Sequence, residues 1–206
     1  MKTYPSIVNS NALPRSFVPH DMYVFAKLDG SNLRFEWSKK SGWYKYGTRT
    51  RLFDHTDEIF GPAINIFQDT LACPLDEIFK NQRYESAVVF AEFYGKNSFA
   101  GLHDPTENKV LSLIDVAPYK KGILGPKEFV DLFGHLNIAK FLGVYFWDQD
   151  FIQEVRQGKF LDDAFEGVVG KSGKDHKLFM AKAKTQAWVD KVKERYGDKA
   201  DGIINS

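Results

Sequence analysis

Apolar and polar positions alternate, with β-branched and aromatic side chains in the apolar slots, at Tyr23–Leu28, Leu33–Trp37 and Trp43–Tyr46, which predicts three strands separated by the turns DGSN and KKSG. In series they read as a meander. The pattern returns at Ser86–Phe93, Val110–Val116, Gly143–Trp147, Gly167–Gly170 and Lys177–Lys184, most of them bounded by Gly, Pro or Asn. Helical spacing governs Thr56–Phe67, Pro126–Phe133, Phe151–Gln157 and Thr185–Tyr196. In the last of these Thr185 can cap, while Trp188, Val189, Val192 and Tyr196 form one apolar stripe. Loops rich in breakers are expected at Gly61–Pro62, Gly95–Pro105 and Lys120–Pro126. Strands in runs with helices interspersed, rather than strict alternation, give an α+β class with largely antiparallel sheets. No repeat, low-complexity tract or linker divides the chain, so a single domain over residues 1–206 is expected.

Composition adds limits. With 206 residues, 43% of them hydrophobic and 15% aromatic, the chain can fill a core without covalent staples. The one cysteine, Cys73, excludes an internal disulfide, fits a reducing compartment and, beside Pro74, reads as a small core residue. There is no apolar signal segment and no run near the ~18 apolar residues of a membrane span, so a cytoplasmic protein with no membrane partner is expected. The net charge of +1 does not advertise a polyanionic partner, but its distribution is uneven. Lys27 to Arg51 holds seven basic and two acidic residues, and Gly170 to the end holds nine and five. If the fold joins the two segments they make an anion site; if not, they are solvated basic faces.

The five histidines show no paired zinc spacing, and there is no nucleophile elbow, Walker A loop or dinucleotide fingerprint. Three features remain. Lys27, at the end of an apolar strand in KLDGSN, has the setting in which desolvation and nearby cations lower an amine's pKa and expose a nucleophilic lone pair. A strand-end lysine beside an Asp-Gly turn is the plain alternative. Lys182 and Lys184 in FMAKAKTQAW are two apart on a strand and share a face, an arrangement that suits a phosphate unless both simply face solvent. Glu92 in VVFAEFYG and Glu166 in AFEGVVGK are carboxylates in apolar strands, expensive unless they meet a cation, a metal or a hydroxyl; Asp115 in LSLIDV is a weaker case.

In order, the chain carries K-x-D-G, E-F-Y-G, L-I-D-V, E-G-V-V and K-A-K, and this series resembles the motifs of the covalent nucleotidyltransferases, the polynucleotide ligases and mRNA capping enzymes. DNA ligases and capping enzymes typically place arginine five residues after the nucleophilic lysine. Asn32 stands there in this chain, which, with the opening YPSIVN, is similar to the nick-sealing ATP-dependent RNA ligases. The resemblance implies a nucleotidyltransferase fold of antiparallel sheets enclosing an ATP pocket and flanked by helices. It also implies Mg2+, with Mn2+ as an alternative, and a nucleic-acid substrate with 5′-phosphate and 3′-hydroxyl ends, RNA favoured.

In that scheme Lys27 attacks ATP to form lysyl-AMP, AMP passes to a 5′-phosphate, and a 3′-hydroxyl displaces it. Asp29 and Gly30 complete the nucleotide-binding turn, and Asn32 orients phosphates or attacking groups. Arg49, or Arg51, holds phosphate or the 3′-end. Glu92 binds the ribose, Glu166 serves the metal, and Lys182 and Lys184 contact the α-phosphate. Leu113 and Ile114 stand where the family has a base-stacking aromatic residue, so the adenine must stack elsewhere. Only 22 residues follow Lys184, where many ligases append a nucleic-acid-binding domain, so the expectation is a minimal catalytic core that either binds its substrate weakly or needs an accessory protein in place of that domain. A small DNA nick ligase and a non-catalytic module that binds nucleic-acid ends are the alternatives.

Overall fold

The structure is a computed structural model that describes residues 3–98 and 103–205, so the expected loop Gly95–Pro105 lies partly outside the described residues. The class is α+β, as expected, built on two five-stranded sheets. The first sheet runs β1 (Val8–Asn9), β10 (Phe179–Lys184), β9 (Gly167–Ser172), β2 (Asp21–Ala26), β8 (Phe141–Phe146). The second runs β5 (Leu52–Phe53), β4 (Gly42–Gly47), β3 (Gly30–Ser38), β6 (Ser86–Tyr94), β7 (Val110–Pro118). Neighbouring strands are antiparallel except β1 and β10.

The expected meander is corrected at its first strand: β2 pairs with β8 and β9, not with β3. Its two faces explain this. Met22, Val24 and Ala26 pack toward α4 (Gln149–Arg156), and Phe25 packs on the other side into the core of the second sheet. A strand apolar on both faces belongs in the middle of a covered sheet. The turn at residues 27–29 therefore does not close a hairpin; it carries the chain from one sheet to the other.

Helices α1 (Gly61–Phe67), α2 (Cys73–Asn81) and α3 (Pro126–Phe133) cover the outer face of the second sheet. There Leu33, Phe35 and Trp37 meet Phe67, Leu71, Leu75 and Phe79, and the Phe35 and Phe67 rings stack with centroids 4.0 Å apart. The helix expected over Thr56–Phe67 begins only at Gly61. Before it, Asp54 accepts from the Thr56 N–H, and Asp57 from those of Ile59 and Phe60, local bonds that compete with a helix. Gly61–Pro62, expected as a loop, opens α1, with proline in the first turn where no N–H is needed.

Residues 68–72 continue as one π-helical turn into α2, a helix not read from the sequence. Its inward positions are Leu71, Leu75 and Phe79, four apart, and that register turns Cys73 outward. The expectation of a core cysteine is corrected: Cys73 is exposed. At the C-terminal end Thr185 caps α5 (Gln186–Tyr196) by accepting from the Trp188 N–H. Trp188 and Val192 then bury against α6 (Ala200–Ile204).

Candidate active site

Between the sheets lies a cavity of about 510 Å³, lined from both. Lys27 is the first residue after β2, so alternation carries it to the same side as Tyr23 and Phe25, facing the second sheet. Strand β3 starts three residues later and brings Gly30 and Asn32 to the wall. Asn32 lies opposite Glu92 on β6 and donates a side-chain hydrogen bond to its carboxylate. Glu166 immediately precedes β9, and Lys182 lies on β10. Gly167 has φ +141°, and a Cβ there would meet the Ala183 carbonyl oxygen at 2.1 Å; only glycine lets the chain come this close to β10 and seat Glu166 beside Lys184.

Lys27, Asp29, Gly30, Asn32, Arg49, Glu92, Glu166 and Lys182, distant in sequence, all line this one cavity. Lys184 stands just behind it. Its Nζ lies 3.4 Å from Glu166 Oε1, 3.4 Å from the Ile203 carbonyl and 4.3 Å from the Trp188 ring centroid. Ala181 and Ala183, on the opposite face of β10, are core. Both Arg49 and Arg51 reach the rim, but Arg51 pairs with Asp57 and lies over the Phe60 ring. Arg49 has no ion pair among the described residues, which makes it the arginine available to an incoming anion.

The electrostatics correct one expectation. The Lys27 ammonium sits 2.7 Å from Glu166 Oε1. Burial works to lower its pKa, but Glu166, with help from Glu92 and Asp29, outweighs burial and holds it above the ordinary lysine value. The lowered amines are its neighbours. Burial, then Lys27, lowers Lys182. Burial, with repulsion from Lys27 and Lys182, brings Lys184 down to about 8 against the pull of Glu166. Burial likewise pushes the Glu92 carboxyl up to about 7, even though Lys27 and Asn32 favour its charged form.

Sequence reasoning passed over three residues here. Lys171, near the end of β9, donates to Asp115 Oδ2 at 2.8 Å and to the Ile114 carbonyl at 2.7 Å, and lies over the Phe25 and Phe129 rings. Tyr4 donates to the same Asp115 oxygen at 2.5 Å, and burial followed by the Asp115 charge pushes its hydroxyl well above the ordinary value. Tyr4 and Lys171 line the cavity together with the apolar Ile7, Phe25, Ile114, Ala139 and Val169. His103 bonds through Nε2 to the Asp29 carbonyl at 2.9 Å and through Nδ1 to Glu107 at 2.7 Å. A lysine five places after Glu166 was the available signal for Lys171, lost because the strand was expected to stop at Gly170.

Among the described residues no group of three or more His, Cys, Asp or Glu side chains forms a metal cage. One atom does suit a hard cation: Glu166 Oε2 is buried without a hydrogen-bond partner. The donor set therefore fits an ion carried in by phosphates and held by one carboxylate, the usual pattern for Mg2+.

No family model matches the sequence, and no curated protein matches it. Solved structures do. An archaeal ATP-dependent RNA ligase (form 2) superposes with TM-score 0.65 at 17% identity, over 93% of this chain and 50% of that one. A variant of the Naegleria gruberi RNA ligase with AMP and Mn gives TM-score 0.69 at 16% identity, over 93% and 58%. The N. gruberi RNA ligase with PPi gives 0.64 at 17%, over 85% and 52%. This chain thus spans about half the length of the structures it matches. At such identities the likeness is one of fold, and it agrees with the order of motifs: the chain has the nucleotidyltransferase fold of the ATP-dependent RNA ligases.

Proposed function

We propose that this protein is an ATP-dependent RNA ligase that works through a lysyl-AMP intermediate. The observation that carries the reading is the convergence, in one cavity between the sheets, of the Lys27 amine, the Glu166 carboxylate 2.7 Å away and the Lys182 ammonium, with Arg49 at the rim. The adenine of ATP takes the apolar part of the wall, where Phe25, Ile114 and Val169 line the cavity. Glu92 faces the ribose, Lys182 meets the α-phosphate, and Lys184 supports Glu166 from behind the cavity wall.

In the first step Lys27 Nζ gives up a proton and attacks the α-phosphorus; the N–P bond forms as the bond to pyrophosphate breaks. Glu166 Oε1 already accepts the Nζ hydrogen bond, so it orients the amine and is placed to take the proton. Lys182 faces the charge that builds on the phosphate oxygens, which is where fixed cations accelerate phosphoryl transfer most, and Lys184 adds its charge from behind, through Glu166. A divalent ion held by Glu166 Oε2 and the phosphates would neutralise the leaving pyrophosphate and loosen the hold of Glu166 on Lys27. AMP then passes to a 5′-phosphate, freeing Lys27, and a 3′-hydroxyl attacks that phosphate as AMP leaves. Arg49 holds the phosphate end during sealing. A variant of the N. gruberi RNA ligase, of similar fold, has been seen with ATP and Mn.

The test is a denaturing gel of the protein after incubation with α-labelled ATP and Mg2+ or Mn2+. A labelled band is expected, absent with Lys27→Ala, and the labelled protein should transfer AMP to nicked RNA in preference to nicked DNA. No band from protein first stripped of AMP with pyrophosphate would sink the reading.

A further inference from the structure

Strand β3 buries Leu33, Phe35 and Trp37 on one face. On the other it carries Arg34, only 2% exposed, a position where an arginine is costly and the reaction above gives it no task. Its guanidinium donates to the Thr48 carbonyl and lies 3.7 Å from Glu36 Oε1. Glu36 in turn meets Lys45 at 3.7 Å and the Tyr44 hydroxyl at 3.4 Å. Thr48 is the anchor of the turn that holds Arg49. Its N–H donates to the Arg51 carbonyl at 2.8 Å, and its Oγ1 accepts from the N–H groups of Thr50 at 3.3 Å and Arg51 at 3.1 Å.

The space for this contact comes from Gly47, paired opposite Arg34. A Cβ at Gly47 would stand 2.7 Å from Arg34 Nη2 and 2.9 Å from Cζ. The buried guanidinium thus lies under the turn whose next residue, Arg49, lines the cavity.

We propose that Arg34 is a positioning residue for end sealing: from beneath, it fixes the turn at residues 48–51 so that Arg49 faces the reacting phosphate. This rests on the ligase reading of the cavity. Arg34 touches no substrate; it acts through Thr48 and Arg49.

The experiment compares Arg34→Met, Gly47→Ala, Arg49→Ala and the Arg34→Met/Arg49→Ala double variant, scoring lysyl-AMP formation and single-turnover sealing of nicked RNA separately. Gly47→Ala displaces the guanidinium while leaving Arg34 in the chain, so it decides the matter if Arg34→Met does not fold. The expected result is lysyl-AMP formation within about threefold of the parent for Arg34→Met and Gly47→Ala, with sealing down about 10²-fold, the size of loss a misplacement of about 1 Å produces. The double variant should seal no worse than Arg49→Ala, because both changes remove one function. Unchanged sealing in both single variants, losses that multiply in the double variant, or adenylylation falling in step with sealing would each overturn the role of Arg34. A parent protein that forms no lysyl-AMP overturns the ligase reading and this role together, an outcome distinct from an active parent with indifferent variants.

Discussion

Two buried ion pairs flank β9, and they are built differently. In its C-terminal half, Lys171 and Asp115 form a closed set: the ammonium has the carboxylate and the Ile114 carbonyl, and the carboxylate has a second donor in Tyr4. Both side chains are almost fully buried, at 4% and 1% exposure. Before its N-terminus, Glu166 is shared by Lys27 and Lys184, keeps one buried oxygen without a partner, and pairs with an amine that retains 20% exposure. The first pair is complete and holds structure; the second leaves valence unspent where a substrate can use it. Burial alone would rank them the other way, so the unsatisfied Glu166 oxygen is what separates the pair at the proposed reactive end from the structural one.

The contrast breaks most visibly in stability. Asp115→Ala leaves the Lys171 ammonium buried with no counter-charge and only the Ile114 carbonyl to bond, takes the acceptor from Tyr4, and is expected to cost about 3–5 kcal/mol in urea unfolding, the range for removing one partner of a buried pair. Glu166→Gln should cost less than half of that. Lys27 reaches water, and Lys184 keeps the Ile203 carbonyl and the Trp188 ring. Equal losses would mean that the two pairs do the same job.

In activity the order reverses. Glu166→Gln is expected to slow lysyl-AMP formation by about 10²-fold, the scale of one misplaced electrostatic group in a phosphoryl transfer site. The smallest effect sharpens the comparison through pH. Glu92 is raised from the usual glutamate range to about 7 in the folded protein, so between those two values the native state holds more protons than the unfolded chain, and stability falls as pH rises. Urea midpoints measured across that window should slope downward for the parent and flatten in Glu92→Gln; a slope that survives the substitution would place the titration elsewhere.

Much of the site was legible because its residues carry their own chemistry. Lys27, Glu92, Glu166 and the Lys182/Lys184 pair are charged groups in apolar strands, and such groups must converge or be paid for in desolvation. What the sequence hid depends on long-range pairing. Nothing local says that β2 leaves β3 and joins β9, so the three-strand meander was the natural reading. Nor does local pattern reveal that Glu166, brought beside Lys27 by the β2–β9 pairing, raises the Lys27 pKa rather than leaving desolvation to lower it. Tyr4 and Lys171 read as ordinary residues until Asp115 brings them together. The helix at Cys73–Asn81 was hidden by the proline at its start and by the π turn that joins it to α1.

The path of the chain between the sheets also bears on how the protein comes into being. The whole second sheet, β3 to β7, is one unbroken stretch inserted between β2 and β8 of the first. It can collapse on its own helices from contacts within that stretch, whereas Tyr23 must wait for Lys171, and Val8 for Ala181. Pairings across such separations form slowly. During synthesis, therefore, Lys27 emerges early but meets Glu166, Lys182 and Lys184 only once β9 and β10 have left the ribosome, and a nascent chain shorter than that lacks the cavity in which we propose the lysine reacts.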